Sequence, residues 1–428
     1  MTRKSSPTGR GKVMHENKSR DFGDHDQYLQ GGPKIVKGLY RHSSPFVLIG
    51  ALLIGMASAP RQGSGLEGNM PGHRPPGAEA SRGIPKTALE FSQRVQEIRE
   101  FLQEFMKTSV VPGVSIAVGV GDEFTQFEGL GFSDLASRRP VTPQTRFRIG
   151  SVSKTLTAAA FGLLLEEGKL ELNADVRRYV PEFPDKGSPI TLRHLAAHQS
   201  GIRHYRGNEA LSDRSYKSVL EALAVFADDP LVAKPGTTWS YSTYGYTLLS
   251  AAMERGAGRP FLDLMRDKVL GPLGMTRTEP EIGGRLLPDQ AAGYVQGADG
   301  KVEAAPKTDL SNHWAGSGFV STAEDLLKFA RAHLSGHFHR PETLALLWTP
   351  QATNDGTITR TGIGWQVART PKGRRLLVAG GNAIGGTTVM FVLPEEKVVL
   401  AFLTNIGSAP IRGVPRKALG ILLGEEGA

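Results

Sequence analysis

Apolar residues recur with strand spacing near both ends of the folded body and with helical spacing between them. The body is predicted to begin with an amphipathic helix over residues 87–107. A hairpin follows, with strands at residues 111–121 and 123–132 and with Gly121 and Asp122 in its turn. Helical spacing then dominates as far as about residue 275.

The middle of the chain is predicted to be helical, and strand patterns return in its last part. Helices are predicted at residues 191–198, 216–227, 244–256, 260–270, 322–334, 341–347 and 414–423. Strands are predicted at residues 364–370, 375–379, 387–393 and 398–404. Because strands at both ends flank the helices, the two ends are expected to share one antiparallel sheet. The predicted fold class is therefore α+β, an α/β sandwich with helices flanking the sheet and an all-helical subdomain at about residues 155–290.

A basic leader and a linker precede this body. Residues 46–59 are uncharged, mostly apolar and end in Ala-Ser-Ala, the small-residue pattern of a signal-peptide cleavage site. This stretch is short for a membrane span, so residues 1–59 are predicted to hold a signal peptide, with an uncleaved membrane anchor as the alternative. Acidic residues in the leader disfavour a mitochondrial transit peptide. The expected location is exported, periplasmic or membrane-anchored facing outside the cytoplasm. Residues 60–86 are predicted as a flexible linker, which leaves residues 87–428 as the folded domain.

The composition excludes several kinds of site and partner. The chain of 428 residues has no cysteine, which rules out disulfides, thiol catalysis and cysteine-based zinc sites. Its net charge is +9, but residues 1–86 hold 13 Lys/Arg and 6 Asp/Glu, whereas residues 87–428 hold 38 and 36. The body is therefore nearly neutral, and no nucleic-acid partner is predicted.

The segment at residues 147–168 holds the first candidate chemistry. Ser151 precedes Lys154 by three residues, and an apolar run then continues to Glu166, with Gly168 as a helix-end signal. On a helix this spacing places both side chains on one face, with about 5–6 Å between their Cβ atoms. Burial in an apolar core and the positive end of the helix dipole both lower the pKa of Lys154, which makes its amine a proton acceptor for Ser151.

A second candidate lies in a loop that precedes another apolar helix. A Pro235-Gly236 turn leads into the segment that carries Tyr241. A phenol beside a lysine ammonium is a workable proton relay, because the positive charge favours the phenolate. The alternative for Tyr241 is a loop aromatic that only packs on the helix.

These two segments form a recognisable pair of motifs. Ser151-Val-Ser-Lys154 together with Tyr241-Ser-Thr243 resembles the S-x-x-K and Y-x-N pair of serine β-lactamases and penicillin-binding proteins. The resemblance is to the class C β-lactamase and esterase branch and, within it, to the mitochondrial serine-β-lactamase-like proteins. It runs from about residue 111 to residue 404, with supporting stretches at residues 179–183, 192–205 and 314–326. Thr243 stands where the family has asparagine, and its hydroxyl is expected to serve as the substrate-binding hydrogen-bonding group there.

The resemblance also implies a third motif on a sheet strand. The family's Lys-Thr-Gly or His-x-Gly aligns with residues 379–381, so Gly381 is expected to face the substrate. The N–H groups of Asn382 and Ser151 are then expected to form the oxyanion hole. Ala379 lacks the cation that holds a β-lactam carboxylate, which predicts weak β-lactam hydrolysis. Candidates for the polar contact that Ala379 cannot make are Arg203, His204, Tyr205 and His313.

Three other patterns are given little weight. His194 and His198 have the spacing of zinc ligands, but no glutamate follows His194 and no third ligand is apparent, so neither a metal nor a cofactor is predicted. Residues 113–117 nearly match a G-x-S-x-G elbow but fit a strand, which disfavours an α/β-hydrolase. Lys372-Gly373 is predicted to lie in a hairpin turn.

Together these residues predict a serine hydrolase that works through an acyl-enzyme. Ser151 attacks a carbonyl carbon, and Lys154 and Tyr241 shuttle its proton. The expected substrate is a small-molecule or peptide ester or amide, with weak β-lactam hydrolysis allowed. The alternative, which Ala379 favours, is a penicillin-binding-like module that has lost turnover and acts by binding or assembly. The sequence leaves the oligomeric state open.

Overall fold

The computed structural model describes residues 83–283, 285, 287–409, 411 and 413–425. Helix α1, Ala88–Thr108, begins with a capping box in which the Thr87 hydroxyl accepts the Glu90 N–H and the Glu90 carboxylate accepts the Thr87 N–H. The predicted leader, including the signal-peptide or anchor segment at residues 46–59, lies outside the described residues, as does most of the predicted linker. No helix in the described part of the chain is long and apolar enough to cross a membrane.

A seven-stranded antiparallel sheet joins the two ends of the body. In chain order the described strands are β1 Gly113–Val120, β2 Phe124–Asp134, β3 Arg139–Pro140, β4 Phe147–Arg148, β5 Glu279–Pro280, β6 Tyr294–Gln296, β7 Val302–Ala304, β8 Phe319–Ser321, β9 Gln366–Arg369, β10 Arg375–Ala383, β11 Gly386–Leu393 and β12 Val398–Thr404. The first three and the last four form the large sheet in the order β3-β2-β1-β12-β11-β10-β9. Because β1 pairs antiparallel with β12, with Ala117 opposite Ala401, the predicted sharing of one sheet by both ends is confirmed.

Helices cover both faces of this sheet. After α1 the described helices are α2 Ser153–Glu166, α3 Leu192–Ala196, α4 Thr243–Ala257, α5 Phe261–Met265, α6 Trp314–Ser317, α7 Ala323–Leu334, α8 Pro341–Trp348 and α9 Val414–Leu423. The helices predicted at residues 244–256, 322–334, 341–347 and 414–423 are confirmed. The helix predicted at residues 260–270 is divided, because α5 continues as a π-helical turn at Arg266–Leu270.

The prediction of a helix at residues 216–227 is wrong. The structure has a single 3₁₀ turn there, Glu221–Val225. Leu223 and Phe226 are buried, as the apolar spacing suggested, but Phe226 stacks on Tyr244 with ring centroids 4.8 Å apart. Short isolated helices are marginal in water, so tertiary contacts of this kind decide the local conformation.

The two faces of the sheet pack against different helices. On β1, Val114, Ile116 and Val118 join a buried cluster with α1 and α9, whereas Ala117 joins a larger cluster with α2 and α4. This alternation is the period of two expected for a strand. Helix α2 is buried along most of its length, and the turn that carries Ser151 contacts β10. The candidate residues therefore lie where the sheet meets the helical part of the body.

Candidate active site

The turn that carries Ser151 lies close against β10. A 3₁₀ turn at Gly150–Val152 follows β4, so Ser151 lies just before α2 and not within it. Gly150 has a φ of +50°, and a Cβ there would lie 2.8 Å from the Asn382 backbone nitrogen. Glycine at this position therefore permits both the left-handed conformation and the close approach of the turn to the strand.

Two polar side chains converge on the Ser151 hydroxyl. Lys154 Nζ lies 3.2 Å from Ser151 Oγ, and the Tyr241 hydroxyl donates to the same oxygen at 2.7 Å. Lys154 Nζ also donates to Thr243 Oγ1 at 3.1 Å and to the Gly316 carbonyl at 2.7 Å. The structure thus brings together Ser151, Lys154 and Tyr241, and it directs the Thr243 hydroxyl to the lysine amine.

The surroundings of the Lys154 amine disfavour its positive charge. The side chain is buried, and burial lowers the pKa of Lys154 below its ordinary value of 10.5, whereas the neighbouring Tyr241 opposes this shift. Nζ lies 4.8 Å from the centre of the Tyr241 ring and 5.6 Å from that of the Tyr246 ring. Its hydrogen-bond partners within the described residues are hydroxyls and a carbonyl, not a carboxylate. The amine is therefore suited to accept a proton.

Backbone amides of β10 lie beside the Ser151 turn. β10 continues to Ala383, beyond the predicted end at residue 379. A Cβ at Gly381 would lie 2.9 Å from the Ser151 backbone nitrogen, and a Cβ at Gly150 would lie 2.8 Å from the Asn382 backbone nitrogen. The backbone nitrogens of Ser151 and Asn382 therefore share one junction, as an oxyanion hole requires.

Ala379 leaves this part of the strand without a charge. It is buried and pairs with Met390 of β11. Arg203 does not replace the missing cation, because its guanidinium is buried and forms ion pairs with Glu209 and Asp229. A negatively charged substrate group therefore has no positive partner at Ala379 or on Arg203.

Comparison with known proteins places the chain in a family. The family model described as Beta-lactamase matches residues 98–421.

The chain belongs to the β-lactamase family.

Relatives of this β-lactamase-family chain include hydrolases and penicillin-binding proteins. It is 30% identical over 424 residues to the mitochondrial serine β-lactamase-like protein LACTB of Homo sapiens, covering 77% of each chain. It is 29% identical over 311 residues to a D-aminopeptidase of Gluconobacter oxydans, covering 70% of this chain and 56% of that protein. A solved octameric penicillin-binding protein homologue from Pyrococcus abyssi matches with a TM-score of 0.68 at 28% identity, covering 77% of this chain and 78% of that one. The predicted family and fold class are confirmed.

Neutral aromatic side chains form one wall of the site in this β-lactamase-family chain. Burial is the main cause that lowers the pKa of His204 and of His313 to about 3, and Lys154 contributes to both shifts. Burial also raises the pKa of Tyr205 well above 10, and its ring lies 4.2 Å from that of His204 and 5.3 Å from that of His313. These three residues are therefore uncharged near neutral pH and do not supply the cation absent at Ala379.

Two histidines hold the loop that carries Tyr241. His198 Nδ1 accepts the Ser242 N–H at 3.2 Å, and its ring centre lies 4.5 Å from that of Tyr241. His204 Nδ1 accepts the Thr243 N–H at 3.3 Å. An imidazole that accepts at Nδ1 is neutral, in agreement with the pKa of His198, which burial lowers well below 6.5. His198, which has the spacing of a zinc ligand from His194, thus accepts a backbone N–H and packs on Tyr241. Among the described residues no group of three or more His, Asp or Glu side chains is placed to hold a metal ion.

No sequence pattern points to Arg148, yet its guanidinium joins three parts of the site. It forms a bidentate pair with the buried carboxylate of Glu281, including a 2.8 Å bond from Nε. Nη1 donates to the Ile384 carbonyl at 2.6 Å and to Thr308 Oγ1 at 3.1 Å. Arg148 lies three residues before Ser151, and Ile384 lies in the turn that follows Asn382 on β10. The arginine therefore fixes the position of the Ser151 turn relative to the strand.

The substitution Arg148→Lys is expected to lower kcat for a short-chain acyl ester by about tenfold to a hundredfold. An ammonium cannot replace the planar fork that binds Glu281 and the Ile384 carbonyl together. The matched control is Arg146→Lys, because Arg146 lies two residues earlier and donates to the Arg277 and Pro288 carbonyls instead. Initial rates and circular dichroism of both variants check the prediction, and an Arg148→Lys enzyme with unchanged kcat contradicts it.

Proposed function

We propose that the protein is a serine hydrolase that forms and then hydrolyses an acyl-enzyme at Ser151. The observation that carries the proposal is the hydrogen bonding of one hydroxyl, Ser151 Oγ, to a buried amine at 3.2 Å and to a phenol at 2.7 Å. Membership of the β-lactamase family and a relative named as a D-aminopeptidase support the same reaction class.

Acylation begins with removal of the Ser151 proton. A neutral lysine amine has two N–H groups and one lone pair. The two N–H groups of Lys154 suit Thr243 Oγ1 and the Gly316 carbonyl, which leaves the lone pair for the Ser151 hydroxyl. Ser151 Oγ then bonds to the substrate carbonyl carbon as its proton passes to Lys154.

The tetrahedral intermediate needs stabilisation at its oxyanion and a proton for the leaving group. The Ser151 and Asn382 amides donate to the oxyanion, and Gly381 lets the substrate approach the strand. The Tyr241 hydroxyl donates its proton to the leaving oxygen or nitrogen as the bond to the carbonyl carbon breaks, and Lys154 returns a proton to Tyr241. Water then attacks the acyl-enzyme by the same steps, releasing the acid and restoring Ser151.

The chemistry of the site favours uncharged esters and amides over β-lactams. Ala379 offers no cation for a carboxylate, and Arg203 is paired with Glu209 and Asp229. We therefore propose an ester or peptide amide as substrate, with weak β-lactam hydrolysis as a side activity. We also retain the proposal that residues 1–59 carry an export signal or anchor, because the uncharged stretch at 46–59 ends in Ala-Ser-Ala.

A fluorophosphonate probe tests the proposed chemistry. The expected result is one stoichiometric adduct, which peptide mass spectrometry places on Ser151. The second candidate function, a binding or assembly module without turnover, is favoured by Ala379. Fluorescent penicillin separates the two, because a hydrolase forms an adduct that decays and a binding module forms either a permanent adduct or none. Absence of a fluorophosphonate adduct on the folded protein contradicts the hydrolase.

The substitution Tyr241→Phe is expected to lower kcat about a hundredfold, because it removes the proton donor to the leaving group and keeps the ring. The loss is expected to be larger for an amide than for a phenyl ester, whose leaving group needs less protonation. Tyr246→Phe is the matched control, since the Tyr246 ring also lies near Lys154 but its hydroxyl donates to the Ala196 carbonyl. Equal kcat values for Tyr241→Phe and wild type on both substrates contradict the relay.

A further inference from the structure

A groove of about 520 Å³ lies between the loop that precedes Tyr241 and the segment that precedes β9. We name it the Trp239 groove; it is lined by residues 237–239, 353, 355, 357–361 and 366–368. Its lining comes from the Trp239 loop, the segment at residues 353–361 and β9. None of the catalytic steps proposed above uses these residues.

The Trp239 groove lies beside Tyr241 of the Ser151 site. The Trp239 ring centre lies 6.3 Å from that of Tyr241, so the two aromatic side chains are neighbours. On the other side, Gln366 pairs with Val378, the residue before Ala379. The β9 pairing with β10 stops at this point, one residue before Ala379.

Hydrogen bonds within the chain hold the walls of the groove in place. The Asn354 N–H donates to the Gly236 carbonyl at 2.7 Å, which joins the segment to the loop that leads to Trp239. The Asp355 carboxylate accepts the Thr353 hydroxyl at 2.6 Å and the Thr357 N–H at 3.0 Å. These bonds stabilise the turn, and the Asp355 carboxylate is used within it. The groove is therefore a preformed site, as small-molecule sites usually are.

The lining favours an uncharged apolar group. Trp239, Val367 and the side chain of Ile358, which is 66% exposed, supply the apolar surface, and threonine methyl groups add to it. The lining has one acidic side chain, Asp355, which is used within its own turn, and one basic side chain, Arg360. Burial of an alkyl or aryl group against such a surface is favourable, and a cationic group would lose its hydration without an unused carboxylate in the lining to pair with.

We propose that the Trp239 groove binds the leaving group of the substrate, and that this leaving group is an apolar, uncharged alcohol or amine. This inference rests on the proposed acyl-enzyme mechanism. The carbonyl oxygen faces the amides of Ser151 and Asn382, whereas the leaving atom must face Tyr241 to receive its proton. The groove adjoins Tyr241, because the ring of Trp239 in its lining lies 6.3 Å from the Tyr241 ring. The departing group therefore leaves along the groove, and water enters by the same side for deacylation.

Two series of esters test the assignment in the full-length protein. The first keeps the acetyl group and lengthens the leaving group from phenol to 4-ethylphenol and 4-butylphenol, which leaves the chemistry of the bond nearly constant. Each buried methylene is expected to raise kcat/KM by up to about fourfold. Where deacylation limits the rate, kcat is expected to be the same for all three, because they form the same acetyl-enzyme. The second series keeps phenol and lengthens the acyl group.

The substitution Ile358→Glu places a charge on the rim of the groove. It is expected to lower kcat/KM about tenfold for 4-butylphenyl acetate and by a smaller factor for phenyl acetate, whose leaving group is shorter. Leu89→Glu is the matched control, because Leu89 is similarly exposed, at 70% against 66%, and lies on α1 away from the groove. The control is expected to match wild type on every ester.

The outcomes separate the groove from the mechanism. If wild type hydrolyses phenyl acetate but kcat/KM does not rise with the leaving group, the groove assignment is wrong and the hydrolase stands. If Ile358→Glu instead weakens the dependence on acyl length, the groove holds the acyl part and the assignment is again overturned. If neither series is hydrolysed and Ser151 carries no fluorophosphonate, the proposed function and the groove assignment both fail.

Discussion

Replacing Ser151 by alanine is expected to lower kcat for ester hydrolysis by at least about a thousandfold. The change removes the one oxygen that both Lys154 and Tyr241 contact, at 3.2 and 2.7 Å, and keeps the Cβ that packs at the turn. No other oxygen replaces it as the atom that forms the acyl bond. Initial rates with phenyl acetate, together with the burst of phenol in a stopped-flow mixing experiment, measure the loss.

Ser153→Ala is the matched control for Ser151→Ala. The Ser153 hydroxyl is fully buried, donates to the Gly150 carbonyl at 2.7 Å and accepts the Phe319 N–H at 3.3 Å. Its loss is expected to cost about 1 kcal/mol of stability and to preserve the burst of phenol. Retention of more than a tenth of wild-type kcat by Ser151→Ala would show that another group is the nucleophile.

The sheet and most helices follow from periodicity that is local in the sequence. Period-two alternation places Val114 and Ala117 of β1 on opposite faces, and the structure packs them into separate clusters. The pairing of the two chain ends could be predicted because antiparallel strands at both ends need a common sheet. Where a segment's conformation depends on distant contacts, the pattern fails: residues 216–227 have helical spacing, but Phe226 stacks on Tyr244 and only a 3₁₀ turn forms.

The candidate site could be predicted only in part, for a related reason. Ser151 and Lys154 are three residues apart, so helical geometry brings them together without knowledge of the fold. Tyr241 lies ninety residues from Ser151 in the chain, and no periodicity relates the two segments. Their contact could therefore be predicted only from the resemblance to the family's pair of motifs. The residues that hold the Ser151 turn in place belong to no motif and could not be predicted. Arg148 and Glu281 meet across 133 positions of sequence, and neither lies in a pattern that indicates chemistry.

The contacts around Lys154 favour the neutral, proton-accepting form of its buried amine. A carboxylate partner would keep the Lys154 amine protonated, but its hydrogen-bond partners in the described residues are Thr243 Oγ1, the Gly316 carbonyl and Ser151 Oγ. Neutral imidazoles of His198 and His204 position the loop that carries Tyr241 and Thr243 without adding a charge beside the amine. The site therefore combines hydrogen bonding with low net charge, which favours neutral lysine.

The substitution Lys154→Met is expected to lower kcat by at least about a thousandfold, because it removes the proton acceptor for Ser151 and keeps the volume of the side chain. In wild type the pKa of Lys154 lies below 10.5, so kcat/KM is expected to rise as the pH increases through that lowered value. Lys328→Met is the control, since Lys328 lies on α7, away from Ser151, and pairs with Glu324 and the buried Asp325. A wild-type profile without this rise would place the acceptor elsewhere.

The same lowered pKa gives Lys154→Met a second expected effect, on stability. Between the folded pKa of Lys154 and 10.5, the unfolded chain holds a proton that the folded chain has released. The free energy of unfolding contributed by this residue therefore rises with pH across that window and is lost as the pH falls through it. Lys154→Met has no such group, so its stability relative to wild type is expected to be highest below the folded pKa of Lys154 and to decline as the pH rises towards 10.5. Urea denaturation of both proteins at several pH values measures this difference, and a difference independent of pH would mean that the folded lysine keeps its ordinary pKa and cannot serve as the base.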